Sequence, residues 1–127
     1  MLFRSRTARP LRSEELEDRF RLDLPLVEKA ILIGEAEGLP VGMVRFDRSS
    51  SQHEVSIILA ASWRGRGAAK PLLETAMDAF QAIVGPAALS AEVASENIAS
   101  AALFRGCGFQ LRGQVGRFLQ FSLPTPP

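Results

Sequence analysis

The chain has 127 residues, enough for one domain with a modest core. Hydrophobic residues make up 46% and charged residues 23%, and the formal net charge is +1. That balance is ordinary for a globular protein, and it argues against a general nucleic-acid or membrane-surface binder, which needs clustered cations.

The opening stretch MLFRSRTARPLR is rich in arginine and lacks apolar periodicity, so residues 1–12 read as a loose basic arm. With no apolar h-region it is not a secretory signal, and no apolar run in the chain approaches the ~20 residues of a membrane span. A reducing cytoplasm is the default location. Cys107 is the single cysteine and His53 the single histidine. An internal disulfide, a cysteine-based zinc cluster and a His-rich metal site are thereby excluded.

Residues 13–24, SEELEDRFRLDL, open with Ser13 and carry Glu14, Glu15 and Glu17 in the first turn, which predicts a helix. The period then changes. Segments 30–37, 41–48 and 53–60 are strand-like and rich in branched residues, separated by GLP and SSSQ. Those gaps are too short for crossovers, so the strands should form antiparallel hairpins. A helix follows at 68–84, with Leu72, Leu73, Ala76, Met77 and Phe80 on one face. Residues 89–94 read as a strand, which makes one parallel βαβ unit with the strand before the helix. A second helix is expected at 97–105, then closing strands in CGFQLR and GRFLQFSL around GQVG, and a disordered tail at 123–127. The fold class is α/β with a mixed, mostly antiparallel sheet, in a single domain over 1–127.

The stretch SWRGRGAAKP, residues 62–71, stands between strand 53–60 and helix 68–84. A glycine turn before a helix exposes backbone N–H groups with no intrahelical partner, and with the helix dipole these bind phosphate. Gly65 and Gly67 permit close approach; Arg64, Arg66 and Lys70 add charge. Pro71 lacks an N–H and disfavours a helical Lys70, so an irregular first turn is expected. The P-loop pattern is absent. The dinucleotide fingerprint is approached by Gly65-x-Gly67, with Glu92 at the end of the next strand, but Lys70 stands where its third glycine belongs. A solvated loop explains glycines beside arginines equally well.

Arg64-x-x-Gly67-x-Ala69 is similar to the (Arg/Gln)-x-x-Gly-x-(Gly/Ala) motif of the GCN5-related N-acetyltransferase (GNAT) superfamily. ENIASAALFRGCGF, residues 96–109, resembles that superfamily's Asn-x-x-Ser/Ala…Leu-Tyr-x-x-x-Gly-Phe stretch. The order and spacing of the two segments suit its βαβ core, and the resemblance covers roughly residues 13–121.

The resemblance implies the acyl-CoA N-acyltransferase fold, in which strands 53–60 and 89–94 splay apart around acetyl-CoA as co-substrate. It places backbone groups near Ile58, Leu59 and Ala60 along the pantetheine. The amides of Arg64, Gly65, Arg66, Gly67, Ala68 and Ala69 would surround the pyrophosphate. Asn97 is expected to contact the pantetheine arm, to cap the second helix, or both. Glu54 is the leading base, as many relatives carry a glutamate there; a solvent-facing strand carboxylate is the plain alternative. Strand alternation puts Glu54 and Ser56 on one face, His53 and Val55 on the other. His53 is the second candidate base.

Phe104 departs from the pattern. The superfamily commonly has Tyr there, whose hydroxyl protonates the departing CoA sulfur, and this chain has no tyrosine. Phe104 packs against the thioester in this reading but donates nothing. Cys107 is expected to fill core, and Trp63 to anchor the turn. Members usually begin with a strand and a helix, and this chain is expected to enter partway through that helix region. The first strand is either missing or replaced by residues 1–6; an open sheet edge would favour a homodimer. The N-terminal segment resembles acetyltransferases that act on nucleotide-linked amino sugars, with Arg4, Arg6 and Arg9 available to phosphates. The implied function is acetyl transfer to the primary amine of a small molecule, foremost an amino sugar, without metal, nucleic acid or membrane. The alternatives are a non-catalytic acetyl-CoA-binding module and a protein N-acetyltransferase.

Overall fold

The computed structural model describes residues 2–4 and 29–125. The expected helix at 13–24, the side chains of Arg4, Arg6 and Arg9, and residues 126–127 lie outside the described residues. The strands are β1 (Leu2–Arg4), β2 (Lys29–Ala36), β3 (Leu39–Ser49), β4 (Gln52–Leu59), β5 (Leu89–Ala94), β6 (Gln110–Val115) and β7 (Phe118–Leu123). The helices are α1 (Ala69–Val84) and α2 (Ile98–Gly106). One sheet contains all seven strands in the order β1-β2-β3-β4-β5-β7-β6. Among the described residues, only β4 and β5 run parallel; every other neighbouring pair is antiparallel.

Two terminal expectations need correction. Residues 2–4 are a strand, pairing Leu2 with Glu35 and Arg4 with Ile33, so the alternative that put the first strand within residues 1–6 holds and the arm is not loose throughout. Its three residues satisfy backbone groups along β2, a gain that side-chain periodicity does not register. At the other end Leu123 belongs to β7, paired with Leu89, rather than to a tail.

The β2–β3 connection is a two-residue turn. Glu37 (φ 55°) and Gly38 (φ 79°) are both left-handed, as the hairpin twist requires. Both helices pack on one sheet face. Leu72, Leu73, Ala76, Met77 and Phe80 of α1 are buried against Val44, Phe46, Val55 and Leu89. Phe46 and Phe80 stack with ring centroids 4.1 Å apart. Phe104 of α2 meets Phe109 edge-on at 5.0 Å, beside Phe121. Among the described residues, no helix is long and apolar enough to cross a membrane.

Gly42 sits opposite Leu59 in the β3–β4 ladder. A Cβ there would drive into the Ile58 carbonyl oxygen and lie 3.0 Å from Leu59 Cα. Backbone on the partner strand cannot rotate away as a side chain would. Gly42→Ala is therefore expected to destabilise the fold by about 1–3 kcal/mol, read by denaturant titration. A variant as stable as wild type would show that β4 yields freely at Ile58.

Candidate functional site

The site starts with a short ladder. β4 and β5 are paired only through His53↔Leu89 and Glu54↔Ser90. Beyond that rung β5 continues along β7 over its whole length, while β4 stays with β3. The strands diverge, and β4 from Val55 onward presents its β5-facing backbone groups to a gap. Backbone amides and carbonyls seek partners, so such an edge accepts an extended ligand with amides of its own.

The gap opens into a cavity of about 530 Å³ lined by Ile57, Ile58, Leu59, Arg64, Gly65, Gly67, Ala68, Ala69, Asn97, Ala99, Ser100 and Leu103. Its far wall is the turn after β4. A 3-10 turn at Ala61–Trp63 leads into it, with the Arg64 amide donating to Ala61 O at 3.3 Å. Gly65 (φ 72°) and Gly67 (φ 71°) are left-handed, and nothing lies within 4 Å of where either Cβ would be. The cradle is open on the side facing the cavity.

The first turn of α1 corrects one expectation. It is regular: Leu72 N–H donates to Ala68 O at 3.1 Å, and Ala68 is helical at φ −81° and ψ −21°. Pro71 falls where its missing N–H has no intrahelical acceptor in any case, so the helix loses nothing. The amides of Ala68, Ala69 and Lys70 precede the first intrahelical bond and open onto the turn. No acidic residue stands in that first turn, and the dipole of the 16-residue helix favours an anion there. A diphosphate fits this cradle.

The structure brings most of the expected residues together, with exceptions. Ala60 does not line the cavity; its amide donates to Val41 O at 2.8 Å. Arg66 turns outward, its guanidinium 4.2 Å from the centre of the Trp63 ring and bonded to Ser62 O at 3.3 Å. Trp63 thus anchors an arginine. Asn97 lines the cavity and also caps α2, its Oδ1 accepting from Ser100 N–H at 3.1 Å. Phe104 is buried in the core and lines a smaller cavity of about 160 Å³, with Val55, Ser56, Ile57, Glu92, Val93, Ala94, Asn97 and Ser100. Asn97, Ser100 and Ile57 belong to both cavities. The smaller one lies at the base of the splay.

Glu54 lies on the last rung before the strands part, on the sheet face away from the helices, next to Ser90 and across from Asp47. It is exposed and lines neither cavity. The same face carries Arg45, which holds Asp47 at 2.7 Å, and Glu92, which accepts from Gln120 Nε2 at 3.1 Å. His53 is on the other side, edge-on to Phe80 at 4.9 Å, and lines a separate depression with Arg48, Val84 and Pro86. Cys107 follows α2 and packs against the core; burial pushes its thiol up, Glu74 adds to this and Lys70 opposes it.

Sequence reasoning missed Ile57, Ala99, Ser100 and Leu103 as lining residues. Ser100 and Leu103 lie three and six places after Asn97, a helical spacing that was available as a signal. A hairpin clip was also missed. Arg117, in the β6–β7 turn, binds Glu96 at 2.7 Å and accepts from Ser95 N–H at 2.7 Å. Glu96's own amide, Arg117 and Ser95 hold the Glu96 carboxyl below its ordinary range. This ties the start of α2 to the closing hairpin.

The profile of the Acetyltransferase (GNAT) family matches residues 2–109. Among curated proteins, none matches the chain. Solved structures do. A variant of spermidine N-acetyltransferase SpeG from Vibrio cholerae is 22% identical with a TM-score of 0.70, covering 91% of this chain and 77% of that one. The Vibrio cholerae spermidine N-acetyltransferase in complex with CoA and spermine is also 22% identical, with a TM-score of 0.68 and coverage of 87% and 73%. The GNAT domain of S. lividans PAT is 20% identical, with a TM-score of 0.66 and coverage of 76% and 61%. At these identities the likeness speaks for the fold.

Proposed function

Because this chain belongs to the acetyltransferase (GNAT) family, we propose that it transfers acetyl from acetyl-CoA to the primary amine of a small, cationic molecule, by direct attack in a ternary complex. The observation that carries this reading is the splay of β4 from β5 beyond Glu54, with the large cavity running from it to the Gly65–Gly67 turn. The pyrophosphate would take the amides of the turn and of the α1 N-terminus. The pantetheine would lie along Ile57, Ile58 and Leu59 with Asn97 opposite. That arrangement aims the thioester at the smaller cavity, where the strands part.

The acceptor reaches that point from the face carrying Asp47, Glu54 and Glu92. Arg45, Lys29 across from Asp47, and Arg112, which donates to Ser122 Oγ, share that face with the three carboxylates, so its charge is balanced and Glu54 is the carboxylate that stands at the opening. Glu54 takes the proton that makes the amine a nucleophile. The amino-sugar reading rests on the resemblance of FRSRTARPLRSEELEDRF and of LPVGMVRFD…EVSIILAASWRGRG, and it is tested as one arm of a panel. The polyamine arm has its support in a structural neighbour that holds spermine. A second reading, acetyl-CoA binding without transfer, is favoured by Phe104, which lacks the usual hydroxyl.

Two measurements separate these. Acetyl-CoA at 100 times its dissociation constant is expected to raise the Tm by roughly 10 °C. Thiol release should then appear with polyamines, and less strongly with free or nucleotide-linked amino sugars. No thermal protection at millimolar acetyl-CoA removes both readings; protection without thiol release from any amine leaves the binding module.

A further inference from the structure

The leaving group of the proposed transfer is a thiolate, and the residue that usually meets it is here a phenylalanine. We infer that Ser100 supplies the missing hydrogen-bond donor to the departing CoA sulfur. The inference rests on the acetyl-CoA reading given above.

Ser100 lies one helical turn before Phe104, so the two side chains share a face of α2 with Asn97. Ser100 is half-buried and lines both the large cavity and the small one. A ligand running from the Gly65–Gly67 turn toward the splay must pass the point where these cavities meet. The sulfur, which joins the pantetheine arm to the acetyl group, falls at that junction. Ser100's backbone N–H is committed to the Asn97 cap. Its hydroxyl makes no hydrogen bond to another described residue, and it is left to face the ligand. Phe104, one turn on, packs between Phe109 and Phe121 and offers only carbon.

The chemistry limits what a serine does here. As the tetrahedral intermediate collapses, the C–S bond breaks and its electron pair goes to sulfur. A thiol ionises near pH 8.5, while a hydroxyl is far less acidic, so the proton stays on Ser100 Oγ. The serine donates a hydrogen bond to the forming thiolate, and solvent protonates the sulfur as CoA leaves. The proton lost by the amine goes separately to Glu54 or to water. Ser100 therefore acts on the rate of C–S cleavage without an ionisation of its own, unlike the tyrosine it stands in for.

The test compares CoA with desulfo-CoA by titration calorimetry at about pH 8.5, where CoA is half thiolate. Wild type should bind CoA about tenfold more tightly than desulfo-CoA, as befits one hydrogen bond to a charged group. Ser100→Ala should close that gap with desulfo-CoA affinity unchanged, and Ser100→Thr, which keeps the hydroxyl, should retain it. With an accepting amine, Ser100→Ala should lower kcat about tenfold and leave the KM for acetyl-CoA within twofold. Melting curves of both variants without ligand report whether α2 is intact. A gap that survives in Ser100→Ala, or that vanishes equally in Ser100→Thr, overturns the assignment. Wild type that binds neither CoA nor desulfo-CoA defeats the acetyl-CoA reading itself, a different result from either.

Discussion

Gly67→Glu is expected to weaken acetyl-CoA binding at least 100-fold while leaving a folded protein. Three effects point the same way. Gly67 has φ 71°, and a left-handed backbone costs an L-residue about 1–2 kcal/mol. Part of that cost would be relieved by shifting the turn, which moves the amides that face the ligand. Next, the new Cβ meets nothing within 4 Å, and Gly67 lines the cavity, so the added side chain competes with a ligand for that space. Finally, a carboxylate within about 4 Å of a phosphate is repelled by roughly 4 kcal/mol per unit charge at the dielectric typical near a protein surface. Even with half of this lost to salt and rearrangement, two orders of magnitude in affinity remain.

Gly67→Ala separates these terms, since it keeps the backbone cost and the methyl group but adds no charge. It should lose about tenfold. Gly38→Ala, at a left-handed position far from the cavity with equally open surroundings, should lower stability alone. Calorimetric titration with acetyl-CoA reads all three. A glutamate variant that binds within threefold of wild type would mean that no phosphate approaches this turn.

Much of this site was legible in the chain because its parts are local. The turn is spelled out between Arg64 and Ala69, the helix that follows shows its apolar face in Leu72, Leu73, Ala76, Met77 and Phe80, and Asn97 announces a helix start. The parallel unit followed from the length of the connection between β4 and β5. What stayed hidden depends on residues distant in sequence. Glu92 meets Gln120 from 28 positions away, and Arg117 meets Glu96 from 21. β1 is three residues of LFR among arginines, held by backbone pairing to β2, and such pairing leaves no apolar rhythm to detect. Pro71 misled because its local preference against a helical predecessor was weighed without its place in the first turn, where the missing donor is harmless. Ser100 was part of the recognised Asn-x-x-Ser segment; its position where two cavities meet appears only once β4 and β5 are seen to part.

The amine's proton is the remaining question, and Glu54→Gln is expected to answer it with a loss of about 100-fold in kcat/KM, the lower end of what a positioned base contributes. The geometry sets up the expectation. Glu54 stands on the last paired rung of β4 and β5, so its backbone is held from both sides, by Asp47 on β3 and Ser90 on β5. The next residue on the same face, Ser56, already lines the small cavity. An amine that enters from this face meets Glu54 at the point where the sheet opens toward the thioester. Gln keeps the size and most of the hydrogen bonding but cannot accept the proton. The variant should therefore bind acetyl-CoA as wild type does and lose turnover alone. Asp47→Asn distinguishes attraction from proton transfer. Arg45 already neutralises Asp47 at 2.7 Å, so its loss should raise the acceptor KM a few-fold and spare kcat. If Glu54→Gln turns over within twofold of wild type, with its pH profile unaltered, Glu54 is an ordinary strand carboxylate. The role would then pass to Glu92, which lines the small cavity and is oriented by Gln120, and Glu92→Gln would have to show the loss instead.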